Sequence, residues 1–557
     1  MVYLCQCPAS QRDFRRGGER VSEMRTIRNP ILKGFHPDPS IVRVGEMYYI
    51  ATSTFEWFPG VQIHGSRDLE RWELIGYPLN RVSQLNMLGN PDSGGIYAPC
   101  LTWHNGLFYL VYTNCRNLTG RYWDCSNYLV MSPDINGPWS EPVYLNGTGI
   151  DPSLFHDEDG RKWLVNVVLS YQDGGKPGFP KWDGIALQEY SEAEKKLVGE
   201  PTVIFEGSVL GTTEGPHIYK RNGYYYLMTA EGGTFYNHAI TMARSKKLTG
   251  PYEIDPENPV MTARYDCTLP LQRTGHGDLV ETPEGEWYMV HLCGRPLPSR
   301  GRSVMGRETG IQKVVWTEDG WLRLKSGKHV PEEFVEVPGE STDGVGVDDF
   351  FDDFDGDRLD VSFQTLRIPL GEDMMSLGER KGWLRLKGHE SLSSHHYQSL
   401  VARRQQEFCY TAETKLDFQP ESFMQQAGLV CYYDTTNYIY LYVSCDKRKK
   451  RIVNLLINDL NRFSFPVGDG MEIPETGDVF LRVKVAWDAA YFFYSMDGVQ
   501  WEAVGGYVEY SKLSDEYFKE RGIERFTGTF AGICCQDFTG KHAGADFDYF
   551  KMKGEQA

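Results

Sequence analysis

The chain contains no run of about 18 apolar residues, so no helix long enough to span a bilayer is expected. Its first segment, residues 1–23, lacks the charged-then-apolar layout of a secretory signal. Positive charge is also short: 58 Lys and Arg stand against 76 Asp and Glu, a net charge of −18. That balance excludes a polyanionic partner such as nucleic acid and an anionic membrane surface. It suits a neutral substrate. The twelve cysteines are scattered, and neither Cys5-Gln6-Cys7 nor Cys534-Cys535 has a second Cys or His pair at zinc spacing. Reduced thiols in a cytoplasmic protein are the expectation. Residues 1–23 show no periodicity, so they are expected to be a disordered extension, with Met24 as the native start.

What is present points to strands. At 557 residues the chain exceeds one ordinary core, and 13% aromatics suit both strands and flat sugar-binding platforms. Five times a turn pair or a Gly precedes an aromatic, β-branched run, at Gly45, Gly106, Gly160, Gly223 and Gly285, about 60 residues apart. Asn-Gly and Asp-Gly between apolar runs are hairpin signals. A second echo follows at Trp72, Trp139 and Tyr252. A strand-rich unit repeated at this period cannot bury both faces alone, so it reads as one blade of a five-bladed β-propeller.

Just before each hairpin, on the innermost strand of each blade, lies a short distinctive group. The five are Asp38-Pro39-Ser40, Ala98-Pro99-Cys100, Asp151-Pro152-Ser153, Glu214-Gly215-Pro216-His217 and Gly275-His276-Gly277-Asp278. One Asp-Pro alone is ordinarily a turn. Three acids in register across a repeat converge on the axis, where their mutual repulsion raises at least one pKa. Such a cost is tolerated mainly at a functional site. Carboxyls with no phosphate loop or metal motif suit glycosidic cleavage, in which one is protonated to donate and another ionised to activate water. That chemistry needs no cofactor.

These residues resemble a known family. Asn29 through Ser40, with Thr52 through Gly60, is similar to the opening of the β-xylosidases of glycoside hydrolase family 43. The likeness continues at Ile150–Phe155, Thr213–His217, Gly306–Gln312, Phe363–Pro369 and Gly388–Leu392. The resemblance implies an inverting, exo-acting hydrolase that releases xylose from xylo-oligosaccharides. Its general base would be Asp38, its general acid Glu214, and Asp151 would orient the acid and hold up its pKa. It further implies that Arg307 and Phe55 line the terminal sugar subsite, and that His276 lies near a divalent cation, often calcium, through water. It leaves room for a homo-oligomer. One departure stands out: Tyr97 occupies a place where close xylosidase relatives have Trp, which keeps an α-L-arabinofuranosidase in play. A retaining fructan-cleaving enzyme would need an Asn-Asp-Pro-Asn segment that Phe35–Pro39 lacks. A lectin-like propeller would have no reason to keep three repelling acids.

The expected organisation is all-β: a propeller over 24–338, an acidic Gly-rich linker over 339–353, and a jelly-roll-like β-sandwich over 354–557. Alternation in Leu481–Val485 and Tyr491–Tyr494 supports the sandwich. The loop Asp537–Gly540 is expected to wall the pocket. Trp57 and Phe58 are expected in the core, and Asp497-Gly498 is read as a hairpin.

Overall fold

The computed structural model describes residues 24–172, 179–339 and 346–555. The extension at 1–23, with Cys5 and Cys7, lies outside them.

Five antiparallel sheets form the five blades. Their innermost strands are Ser40–Val44, Gly95–His104, Ser153–His156, Glu214–Arg221 and Gln272–Glu281, for blades I to V in order. Each sheet runs outward by consecutive hairpins. The five glycines expected at the first hairpin all have φ between +61° and +88°, a conformation that favours residues without a Cβ. Apolar clusters then fill the wedges between neighbouring blades: Ile63 and Leu110 join I to II, Leu129 and Leu164 join II to III, and Met242 and Met289 join IV to V. The ring closes where Met24–Arg28 pairs with Phe334–Pro338, so the two ends of the propeller share one ribbon.

The second domain is a sandwich of a nine-stranded and a seven-stranded sheet, with Leu429, Leu441, Leu481 and Phe547 buried between them. Residues Asp349–Asp352, expected in the linker, already form a strand that pairs with Gly544–Glu555. A 3₁₀ turn, Tyr510–Lys512, and a short α-helix, Asp515–Lys519, interrupt the all-β pattern. The thiols also depart from expectation. Cys115 and Cys125 face each other across the second hairpin of blade II and form a disulfide, while the other eight described cysteines are free.

The two domains are packed as one body. Trp57 is fully buried and stacks on Phe530 of the sandwich with ring centroids 3.6 Å apart. Thr365–Leu366 adds a strand beside Trp57–Phe58. The fully buried Arg367 donates to the Asn90 carbonyl and pairs with Asp92. A charge taken this far from water is tolerable only with such partners.

Candidate active site

The blade repeat explains how the site is built. Asp38, Ala98, Asp151, Gly215 and His276 occupy equivalent places on the five innermost strands or just before them. All five have positive φ, at 53°, 36°, 55°, 56° and 45°. Each blade therefore makes the same strained turn at the axis, followed by Pro in four blades and Gly in the fifth. Glu214 is not in register with the two aspartates. It sits one residue earlier, because a register shift between Glu214 and His217 puts Gly215 at the turn. A side chain at Gly215 would come within 3.1 Å of the His276 ring, a tight approach that the bare glycine avoids.

The three carboxyls line one cavity of about 620 Å³, together with Phe55, Tyr97, His276 and Arg307. All the expected site residues are thus brought together. Asp38 is held on both oxygens: Arg307 Nη1 donates to Oδ1 at 2.7 Å, and Ser53 Oγ donates to Oδ2 at 2.7 Å. Ser53 in turn accepts from the Ala98 amide. Arg307 also donates to Thr234 and, from Nη2, to the Phe526 carbonyl at 3.1 Å, while its Nε is buried without a partner among the described residues. It is no surface ion-pair residue. Asp151 Oδ2 accepts from the Gly215 amide at 3.0 Å, which ties it to the turn beside the acid.

The acids are electrostatically unequal. Burial first, then the charges of Asp151 and Asp38, push the Glu214 carboxyl well above its usual range, against the opposing pull of Arg307. Burial and then the Asp38 charge raise Asp151 to about 7. Glu214 has no Lys or Arg ion-pair partner among the described residues. Its nearest charge-capable contact is His238 Nε2, 3.9 Å from Oε1.

Phe55 and Tyr97 form an apolar wall with ring centroids 4.5 Å apart. The wall from the sandwich is not the expected loop at Asp537–Gly540. Asp537 is held inside its own sheet by Gln425 and Ala543. Lys519, Glu524 and Phe526 reach the cavity instead. That arm is anchored by Arg525, paired with Asp434 at 2.6 Å, and by Arg273, paired with both Asp515 and Glu516. The cation implied near His276 finds no cage: among the described residues no group of three His, Cys, Asp or Glu side chains could hold a metal.

Sequence reasoning missed Ser53, Thr234, His238, Glu231 and the sandwich arm. Glu231 accepts from Ser208 and Thr213, fixing the loop that leads into Glu214. The pair Gly232-Gly233 beside Thr234 was a turn signal that could have pointed there. Nothing local marks Phe526.

Residues 27–322 match glycosyl hydrolases family 43, and residues 351–553 match the beta xylosidase C-terminal concanavalin A-like domain. The chain is 48% identical over 539 residues to the beta-xylosidase of Bacillus subtilis strain 168, covering 95% of this chain and 99% of that one. It is 46% identical to xylosidase/arabinosidase 43B of Humicola insolens, over 95% of this chain and 97% of the relative. The crystal structure of xylan beta-1,4-xylosidase from Bacillus halodurans C-125 has a TM-score of 0.91 to it at 50% identity, covering 95% of this chain and all of that one. With both domains matched and the acids gathered in one pocket, the chain belongs to glycoside hydrolase family 43.

Proposed function

We propose that the protein is an exo-acting β-xylosidase that releases xylose from the non-reducing end of β-1,4-xylo-oligosaccharides with inversion at the anomeric carbon. The observation that carries this reading is the unequal environment of two acids in one pocket. Asp38 is ion-paired and doubly hydrogen-bonded, which suits an ionised base. Glu214 is held protonated by burial and by neighbouring charge, which suits an acid. Asp38 takes a proton from water as its oxygen attacks the anomeric carbon. Glu214 gives its proton to the glycosidic oxygen as that bond breaks. Asp151 supplies negative charge that holds the proton on Glu214. Arg307 lines the pocket beside Asp38, and Phe55, Tyr97 and Phe526 close the apolar faces.

The second reading, α-L-arabinofuranosidase activity on the same acids, is favoured by Tyr97. Its hydroxyl is taken up by the Ser93 carbonyl, so only the ring edge and face are offered to sugar. One relative named beta-xylosidase and another named xylosidase/arabinosidase each align over 95% of the chain. A cytoplasmic site of action belongs to the proposal, supported by the eight free cysteines and opposed by the disulfide Cys115–Cys125. Hydrolysis of nitrophenyl β-D-xyloside and nitrophenyl α-L-arabinofuranoside by the purified chain, compared by kcat/KM, tests the assignment. A higher value for the xyloside is expected. Turnover of neither would overturn both readings.

A further inference from the structure

Beside the acid lies a histidine for which the mechanism above has no use. His238 is buried and lines the cavity. Its ring lies flat against the backbone of blade V: a Cβ on Gly275 would come within 2.3 Å of it, so no other residue at 275 leaves the ring in place. Its Nδ1 is 3.2 Å from the Arg273 carbonyl. A carbonyl only accepts, so Nδ1 carries the proton. Burial first, then the charge of His276, depress the imidazole pKa to about 3, so the ring is neutral. Nε2 is therefore a bare lone pair. It is buried with no hydrogen-bond partner among the described residues, and it stands 3.9 Å from Glu214 Oε1. An unpaired buried acceptor is costly, so a donor at this place is to be expected.

Building on the assignment of Glu214 as the acid, we propose that His238 is a positioning residue for it: Nε2 accepts the hydrogen bond of the protonated Glu214 carboxyl and aims it until the leaving oxygen takes the proton. A small rotation of the carboxyl closes 3.9 Å to about 2.8 Å, the ordinary length of such a bond. No proton moves to His238. The hydrogen bond favours the neutral carboxyl, so it adds to the pull of burial, Asp151 and Asp38 and opposes Arg307. The groups acting on His238 are His276, Arg307 and Asp38, with the Arg273 carbonyl behind it. Arg273 itself is pinned by Asp515 and Glu516, so the sandwich fixes the carbonyl that sets the His238 tautomer.

The experiment is a leaving-group and pH series on full-length His238→Phe, His238→Gln and Glu214→Ala, with the double variant. For His238→Phe, kcat/KM should fall about tenfold on phenyl β-xyloside and less than about threefold on dinitrophenyl β-xyloside. Its alkaline limb should move down by about half to one pH unit, the size of one hydrogen bond. His238→Gln, which keeps an acceptor, should recover most of both. In the Glu214→Ala background, His238→Phe should add nothing. Equal losses on both substrates, an unmoved alkaline limb, or full additivity with Glu214→Ala would overturn the proposal. If His238→Phe does not fold by circular dichroism, His238→Leu carries the same comparison. A Glu214→Ala enzyme indifferent to leaving group would instead overturn the acid assignment itself, which keeps the two failures apart.

Discussion

Arg307 donates to Asp38 Oδ1 at 2.7 Å and to the Phe526 carbonyl at 3.1 Å, so one guanidinium joins the base of the propeller to the arm of the sandwich. A guanidinium favours the ionised form of the carboxyl it touches. It touches Asp38 and not Glu214. That contact, added to the deeper effects of burial and of Asp151 on Glu214, separates two carboxyls that the sequence presents alike.

Removing each acid should therefore hurt differently. Asp38→Ala should abolish turnover of every substrate, since nothing then activates the water. Glu214→Ala should cost roughly 10² to 10⁴-fold on poor leaving groups and far less on activated ones, which depart without a proton. Steady-state kcat/KM across aryl xylosides of graded leaving-group pKa measures the contrast. Equal losses for Glu214→Ala across that series would refute the division of roles.

The parts of this site that the sequence made legible are those with a local backbone signature. Hairpin glycines and the Asp-Pro turns repeat because each blade solves the same steric problem, and the repeat placed Asp38, Asp151 and His276 on one axis. Even there the one-residue offset of Glu214 was invisible, because a bulge changes register without changing composition. Phe526, Lys519 and Glu524 could not be read at all. They arrive through long-range ion pairs, such as Arg273 with Asp515, that leave no periodicity behind. His238 lies between two blades and owes its place to the bare backbone of Gly275.

Asp151 should set the alkaline limb. Burial and then the Asp151 charge are the leading causes that raise Glu214, so Asp151→Asn removes a negative neighbour and lowers the pKa of the acid. Glu214 must be protonated to work, and kcat/KM should now begin to fall at a lower pH. The acidic limb, which belongs mainly to the base, should move less. A pH profile with an unmoved alkaline limb would remove Asp151 from this role.

Glu56 gives a stability test away from the chemistry. It is buried, one oxygen accepts from the Ser93 amide, and the other has no hydrogen-bond partner among the described residues. Burial first and the Asp92 charge second push its pKa to about 8. An unfolded Glu titrates near about 4.3. The folded state thus binds the extra proton between those values. Its contribution to stability is fully present below the unfolded pKa and is lost as pH rises through the folded one. Glu56→Gln keeps the Ser93 contact and removes the titration. Its Tm should gain on that of the parent as pH goes from about 5 to about 8, by an amount on the order of a few kcal/mol in free energy. Parallel Tm profiles would show that Glu56 is ionised throughout.

The stereochemical outcome follows from where the two working acids sit on the ring. Asp38 leads into the innermost strand of blade I, and Glu214 opens that of blade IV. The innermost strand of blade V packs against both, so the two acids come from blades that are not neighbours. A retaining enzyme needs its carboxyls about 5–5.5 Å apart, close enough for one to attack the sugar, whereas an inverting one leaves about 6.5–9.5 Å for water. Asp38 is also engaged on both oxygens by Arg307 and Ser53, which orients it toward a water and blunts it as a nucleophile. A single displacement is the expected result. The first sugar formed from a β-xyloside should be α-xylose, seen by proton NMR before mutarotation, and no glycosyl-enzyme should accumulate in rapid-quench mass spectra. If β-xylose appears first, Asp38 attacks carbon directly and the base assignment is wrong.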